Sequence, residues 1–147
     1  MNFLLRDARP PDRDGILGLY ARLRRPPRSA LDLAEYLIGT ALDGKIIGCA
    51  GVHHFDEGSY LFGLAVDRPH QRQGLGSALT LARLDRARHA GSRFAVVLAM
   101  FWNVRFFRHL GFRSIGRADL PSSVSRLDDF QNPTYRRSSV LIQELPT

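Results

Sequence analysis

The stretch that decides the fold is Leu64-Ala65-Val66-Asp67-Arg68-Pro69-His70-Gln71-Arg72-Gln73-Gly74-Leu75-Gly76-Ser77-Ala78-Leu79. An apolar strand ends at Val66, Asp67-Arg68-Pro69-His70 breaks it, and a polar loop carries Gln71, Arg72 and Gln73. A helix is predicted from about Gly74 to Ala90, with Leu75, Ala78, Leu79 and Ala82 on one face and Arg83, Arg86 and Arg88 among its polar positions. Gly91 stops it as a C′ residue. The first turn of a helix holds backbone N–H groups without intrahelical partners and a partial positive charge. Glycines at positions 74 and 76 remove side chains that would keep a phosphate from those donors, which describes a pyrophosphate cradle built mainly of backbone. Arg72 adds a charge-assisted donor at its rim. No Gly-Lys-Ser/Thr follows, so this is not a Walker loop, and the longer dinucleotide glycine pattern is absent. A bare Gly-x-Gly is also what an ordinary strand-to-helix turn carries.

Working outward, Phe3-Leu4-Leu5-Arg6 reads as a first strand, and Asp12 as the N-cap of a helix whose apolar stripe is Ile16, Leu17, Leu19, Tyr20 and Leu23. Ser29 is expected to cap a second helix carrying Leu31, Leu33, Ala34, Leu37 and Ile38. Thr40 to Leu42 and Lys45 to Val52 form two strands around Asp43-Gly44, a strong hairpin signal. A turn at Phe55 to Gly58 leads into a strand from Tyr60 to Val66. Beyond the long helix come a buried strand from Phe94 to Leu98, a short helix from Val104 to Leu110 closed by Gly111, and a strand from Phe112 to Ile115. A polar crossover from Arg117 to Arg136 precedes a last strand, Ser138 to Leu145. The order predicts an α/β layer fold in one domain, 1–147, with no linker to split it.

A chain of 147 residues can bury a core without staples. The single cysteine, Cys49, excludes an internal disulfide and a multi-thiolate metal site, and reads as a buried structural thiol. No apolar run reaches the length of a membrane span, and Met1 to Asp7 lacks the basic region of a signal peptide. A cytoplasmic location is therefore expected. Lys plus Arg is 21 against 14 acidic residues, a net charge of +7, and Lys45 alone among the bases is a lysine. Arginine forks suit phosphate and carboxylate groups, so the partners expected are anionic. A coding-genome bias toward arginine would give the same preference over lysine. Arg136-Arg137 is too brief for a nucleic-acid site, and no helix-turn-helix spacing, zinc motif or aromatic RNA-binding string accompanies it.

The string from Val66 to Leu79 closely resembles the acetyl-CoA signature of the GNAT N-acetyltransferases, Arg/Gln-x-x-Gly-x-Gly/Ala after a strand ending in Val-x-Pro. Gly44 to Ala50 resembles that family's Asp-Gly-x-x-Ile-Gly strand, and Phe106-Phe107-Arg108-His109-Leu110-Gly111-Phe112 its late aromatic-then-Gly-Phe motif. The motifs fall in family order across nearly the whole chain. Ala118 to Pro121 and Tyr135 to Val140 further resemble N-acetylglutamate synthase acetyltransferase domains and stand-alone arsinothricin-type (arsenic-resistance) N-acetyltransferases. The resemblance implies a GNAT-type mixed central sheet flanked by helices on both faces. It implies transfer of acetyl from acetyl-CoA to the amine of a small molecule, an amino acid or glutamate-like compound, by direct attack and without metal.

Carried onto this chain, the resemblance assigns the cofactor to Leu64, Ala65, Val66, Gln71, Arg72, Gln73, Gly74, Leu75, Gly76, Ser77, Asn103, Phe106 and Phe107, with the Leu64 amide polarising the carbonyl. The base is less direct. Relatives carry Glu where Tyr60 stands, which leaves Tyr60, Glu57 or Asp56 through water, or one of His53 and His54. Phe107 occupies the place of the usual acidic Tyr, as it does in the synthase-like relatives. Ala99-Met100-Phe101-Trp102-Asn103 replaces their threonine run, implying either a more apolar acceptor or simple core packing. Two other readings share the fold: a CoA-binding sensor or regulatory module with little catalysis, and a protein or peptide N-acetyltransferase. The partner expected is a small-molecule amine, with no nucleic acid and no membrane, and a homodimer is admitted.

Overall fold

The computed structural model describes residues 2–26 and 31–146. Seven strands form one mixed sheet in the order β1-β2-β3-β4-β5-β7-β6, flanked by helices, so the expected architecture is present. By packing, the chain divides into two compact units, Met1–His53 with Leu61–Leu84 and His54–Tyr60 with Asp85–Thr147. Among the described residues no helix is long and apolar enough to cross a membrane.

In the first unit β1 (Leu4–Asp7) pairs antiparallel with β2 (Tyr36–Thr40), and β2 with β3 (Ile46–Phe55), which extends into the second unit. Helix α1 (Arg13–Arg22) follows a 3₁₀ turn, Pro10–Asp12. Asp12 stands at the predicted N-cap position, yet its carboxylate makes no cap bond to α1. It accepts instead from both Arg6 guanidinium nitrogens at 2.8 and 2.9 Å and from the Arg9 amide at 2.7 Å. The helix expected over residues 31–38 is not formed. A 3₁₀ turn, Leu33–Glu35, capped by the Asp32 carboxylate on the Ala34 amide, leads into β2, and the capping role given to Ser29 lies outside the described residues. All five residues of β2 are buried, and an apolar run covered on both faces pairs as an inner strand whatever its helical spacing. The strand expected at Thr40 to Leu42 accordingly ends at Thr40, and Leu42 is 67% exposed in the turn.

Leu37, Ile47, Ala50, Leu75 and Leu79 form the core of this unit. Leu75, at the head of α2 (Leu75–His89), is seated on backbone: a Cβ at Gly39 or Gly48 would lie 2.6 or 2.8 Å from its side chain. One predicted polar position of α2 is reversed, for Arg83 is wholly buried.

In the second unit β5 (Phe94–Ala99) pairs antiparallel with β7 (Ser139–Glu144), and β6 (Arg113–Ile115) with the other edge of β7. Between β5 and β6 runs α3 (Val104–His109), ended by Gly111 at φ +100°. The polar crossover is built from short pieces, including α4 (Ser122–Ser125) and α5 (Asp128–Gln131). The core holds Val96, Val97, Phe107, Phe112, Leu141 and Ile142.

Candidate active site

The end of the strand at 64–66, the glycine loop and the start of the helix that follows lie in the first unit. β4 (Gly58–Val66) bends at Gly63, whose φ of +68° lies in the left-handed region. Beyond the bend Leu64 and Val66 are half-buried against the core, and Ala65 is buried. The Gln71 side chain donates to the Val66 carbonyl at 2.9 Å, which ties the loop back to the strand end. Asp67 accepts from the Arg68 amide at 3.1 Å and pairs with Arg22 at 3.0 Å, fixing the first turn of the loop.

Arg72 and Gly74 take left-handed φ values of +64° and +89°. Alternation of such residues turns successive amides toward one side and makes an anion-binding concavity. The Ala78 amide bonds the Gly74 carbonyl, so the amides of Leu75, Gly76 and Ser77 precede that bond at the positive end of a 15-residue helix. Gln71, Arg72, Gln73 and Gly74 are exposed, and Gly76 and Ser77 half-buried. Leu75 differs: its side chain belongs to the core and only its backbone remains to face a ligand. The donor set, the first amides of a helix preceded in the loop by exposed Arg72, fits a pyrophosphate.

The other candidates lie in the second unit. Tyr60 is buried, its hydroxyl donating to the Asp129 carboxylate at 2.7 Å, with the Phe130 ring edge-on at 5.3 Å between centroids. Glu57 is an exposed turn residue whose carbonyl accepts the Arg93 amide. Asp56 is exposed in the same turn and faces Arg126 at 3.7 Å. His54 bonds Ser59, which bonds Ser92, whereas His53, in the first unit, pairs with Glu35. Asn103 sits at the N-cap position of α3, its Oδ1 buried without a hydrogen-bond partner among the described residues. Phe107 is buried between the Phe106 and Phe112 rings, at 5.0 and 5.6 Å. An open cleft of about 410 Å³ is lined by Phe101, Val104, Arg105, Arg108 and His109. Phe101 is 86% and Trp102 59% exposed, which removes core packing as the reason for these bulky residues.

Three residues escaped the sequence reading. Asp129 lies in a polar crossover with nothing local to mark it, and Tyr20 and Arg83 read as ordinary members of helix faces. Cys49 behaves as expected, burial pushing its thiol up to about 11.

The strand, the glycine loop and the helix that follows define an acetyltransferase architecture. The chain belongs to the acetyltransferase (GNAT) family, a family of acyltransferases, whose model matches residues 4–112. No curated protein matches it in sequence. Its fold is similar to N-acetylglutamate synthase from Neisseria gonorrhoeae complexed with coenzyme A and N-acetyl-glutamate, at a TM-score of 0.86 and 24% identity, covering 100% of this chain and 36% of that one. The same enzyme with coenzyme A and L-arginine gives 0.82 and 25%, covering 99% and 34%. The chain thus spans about a third of the synthase's length. Rv2747 from Mycobacterium tuberculosis, in complex with CoA and NLQ, matches at 0.83 and 22% identity over 97% of this chain and 99% of its own.

Proposed function

We propose that the chain is an acetyl-CoA-dependent N-acetyltransferase, one domain over 1–147, acting on the amine of a small molecule of the amino-acid or glutamate-like class. The observation that carries this reading is the turn of amides at Leu75, Gly76 and Ser77, ahead of the first bond to Gly74, in a chain of this family. The glutamate-like class draws on the likeness to the synthase structure solved with N-acetyl-glutamate.

Acetyl-CoA supplies a thioester carbonyl open to attack by a neutral amine. The amides of Leu75, Gly76 and Ser77, with Gln71, Arg72, Gln73 and Gly74 leading into them, would hold its pyrophosphate by charge-assisted bonds. Beyond the Gly63 bend, Leu64, Ala65 and Val66 offer strand-like backbone, and the Leu64 N–H would be the donor to the thioester carbonyl oxygen. Tyr60 is preferred to Glu57 as the proton acceptor. Its hydroxyl already donates to Asp129, so it can accept the ammonium proton on its lone pair while passing its own to the carboxylate. Phe107 offers no proton, so the carbon–sulfur bond would break with CoA leaving as the thiolate, which takes its proton from water.

The test is incubation with acetyl-CoA and a panel of free amino acids and other small amines, read by thiol release. Turnover on at least one is expected, and Tyr60→Phe is expected to lower kcat on it about 10²-fold or more. Tight CoA binding without turnover on any amine would instead establish a CoA-binding sensor. Full activity in Tyr60→Phe would remove Tyr60 from the mechanism.

A further inference from the structure

In a regular strand, successive carbonyls point alternately to the two neighbouring strands, and main-chain amides take them up. Three successive carbonyls of β4 accept hydrogen bonds from side chains as well. Phe62 C=O accepts from Arg83 Nη1 at 3.3 Å, Gly63 C=O from the Tyr20 hydroxyl at 2.6 Å, and Leu64 C=O from Arg25 Nη1 at 2.9 Å. All of these residues belong to the first unit.

We infer that Tyr20, Arg83 and Arg25 are positioning residues that hold β4 in its bend at Gly63 and thereby aim the Leu64 amide. The inference rests on the role proposed above for that amide.

The proton inventory makes the arrangement directional. A carbonyl only accepts, so Tyr20 donates to Gly63, and the Tyr36 hydroxyl, 3.0 Å away, donates to Tyr20. The space is full: a Cβ at Gly63 would lie 2.6 Å from the Tyr20 hydroxyl oxygen and 3.1 Å from that of Tyr36. The bend and the hydroxyl pair therefore require each other. Arg83 reaches across two strands, its Nη1 also donating to Gly51 C=O at 3.1 Å, while Nη2 bonds Thr80 and Nε the Leu79 carbonyl. Among the described residues it bonds carbonyls and a hydroxyl and no carboxylate. A wholly buried guanidinium so held costs desolvation, and burial lowers its pKa to about 10. An aliphatic residue would fill the space more cheaply but would remove the donor that ties the Gly51 and Phe62 carbonyls to the helix. What the charge gains is a rigid seat for the bend, which a catalytic amide needs because misalignment by a fraction of an ångström weakens its bond to a developing oxyanion.

Tyr20→Phe keeps the ring and removes only the donor, and Arg83→Met keeps the length. Backbone hydrogen exchange over 61–66, in protein without ligand, is expected to accelerate about 10-fold in both, with 94–98 unchanged. In turnover, kcat should fall about 10- to 100-fold, well beyond any loss of CoA affinity, since the amides of Leu75, Gly76 and Ser77 are untouched. Unchanged exchange in folded Tyr20→Phe overturns the inference. So does a CoA affinity that falls in step with kcat, or faster exchange with full kcat. Exchange is read without turnover, so a wild-type protein that acetylates no amine would sink the proposed function while the positioning of the bend is judged by exchange alone.

Discussion

Individual residues of the glycine loop carry opposite duties. Gly74 takes a left-handed φ of +89°, and Leu75 after it must be apolar because it plugs the core over Gly39 and Gly48. In the pattern Gly-Leu-Gly the Leu75 side chain thus belongs to the core, while the glycines on either side leave the backbone bare. Gly76→Glu puts bulk and negative charge beside the amides without touching Leu75. It should abolish acetyl-CoA binding by calorimetry while the far-ultraviolet dichroism and Tm stay close to wild type. Retained affinity would make the loop a turn and nothing more. The loop was legible because helix-start chemistry is local. Asp129 was not, since its partner Tyr60 is 69 residues earlier and nothing near Asp129 in the chain marks the contact.

Among the elements, the entry to α1 shows how one residue type is read correctly by position and wrongly by partner. Asp12 stands where a cap belongs, but the guanidinium of Arg6, two-pronged on its carboxylate, is a stronger partner than a helix amide. That bond holds the Asp12 carboxyl down at about 2, from an ordinary 3.8. A depressed folded-state pKa contributes stability that is fully present above the unfolded value and is lost as pH falls through the folded one. Asp12→Asn should therefore cost about 1–3 kcal/mol at pH 7 in urea unfolding. The gap from wild type should close as pH is lowered from about 4 to about 2. A gap independent of pH would mean that Asp12 acts through packing alone. The strand β2 carries the complementary lesson: Leu37 and Ile38 fit a helical stripe, and only pairing with β1 and β3 makes them a strand.

For the molecule as a whole, the net charge of +7 admits any polyanion, and the structure narrows what that charge means. Of the 21 basic residues, Arg83 is buried on carbonyls, Arg25 holds one, and Arg6, Arg22, Arg88, Arg113 and Arg126 pair with acids. Binding to a random DNA duplex should accordingly be loose and electrostatic. It is expected at low salt and gone by about 150 mM in fluorescence anisotropy, while CoA binding persists there. DNA binding that survived physiological salt would reopen the nucleic-acid reading. Strand and helix periodicity, the Asp-Gly hairpin, the glycine stops at 91 and 111 and the amide cradle are all written locally, because turn chemistry and side-chain spacing act over a few residues. Which apolar run becomes β2, which arginine goes inside, and which side chains hold β4 in its bend were settled only in three dimensions. Burial and hydrogen-bond satisfaction are properties of neighbours, and those neighbours are distant in the chain.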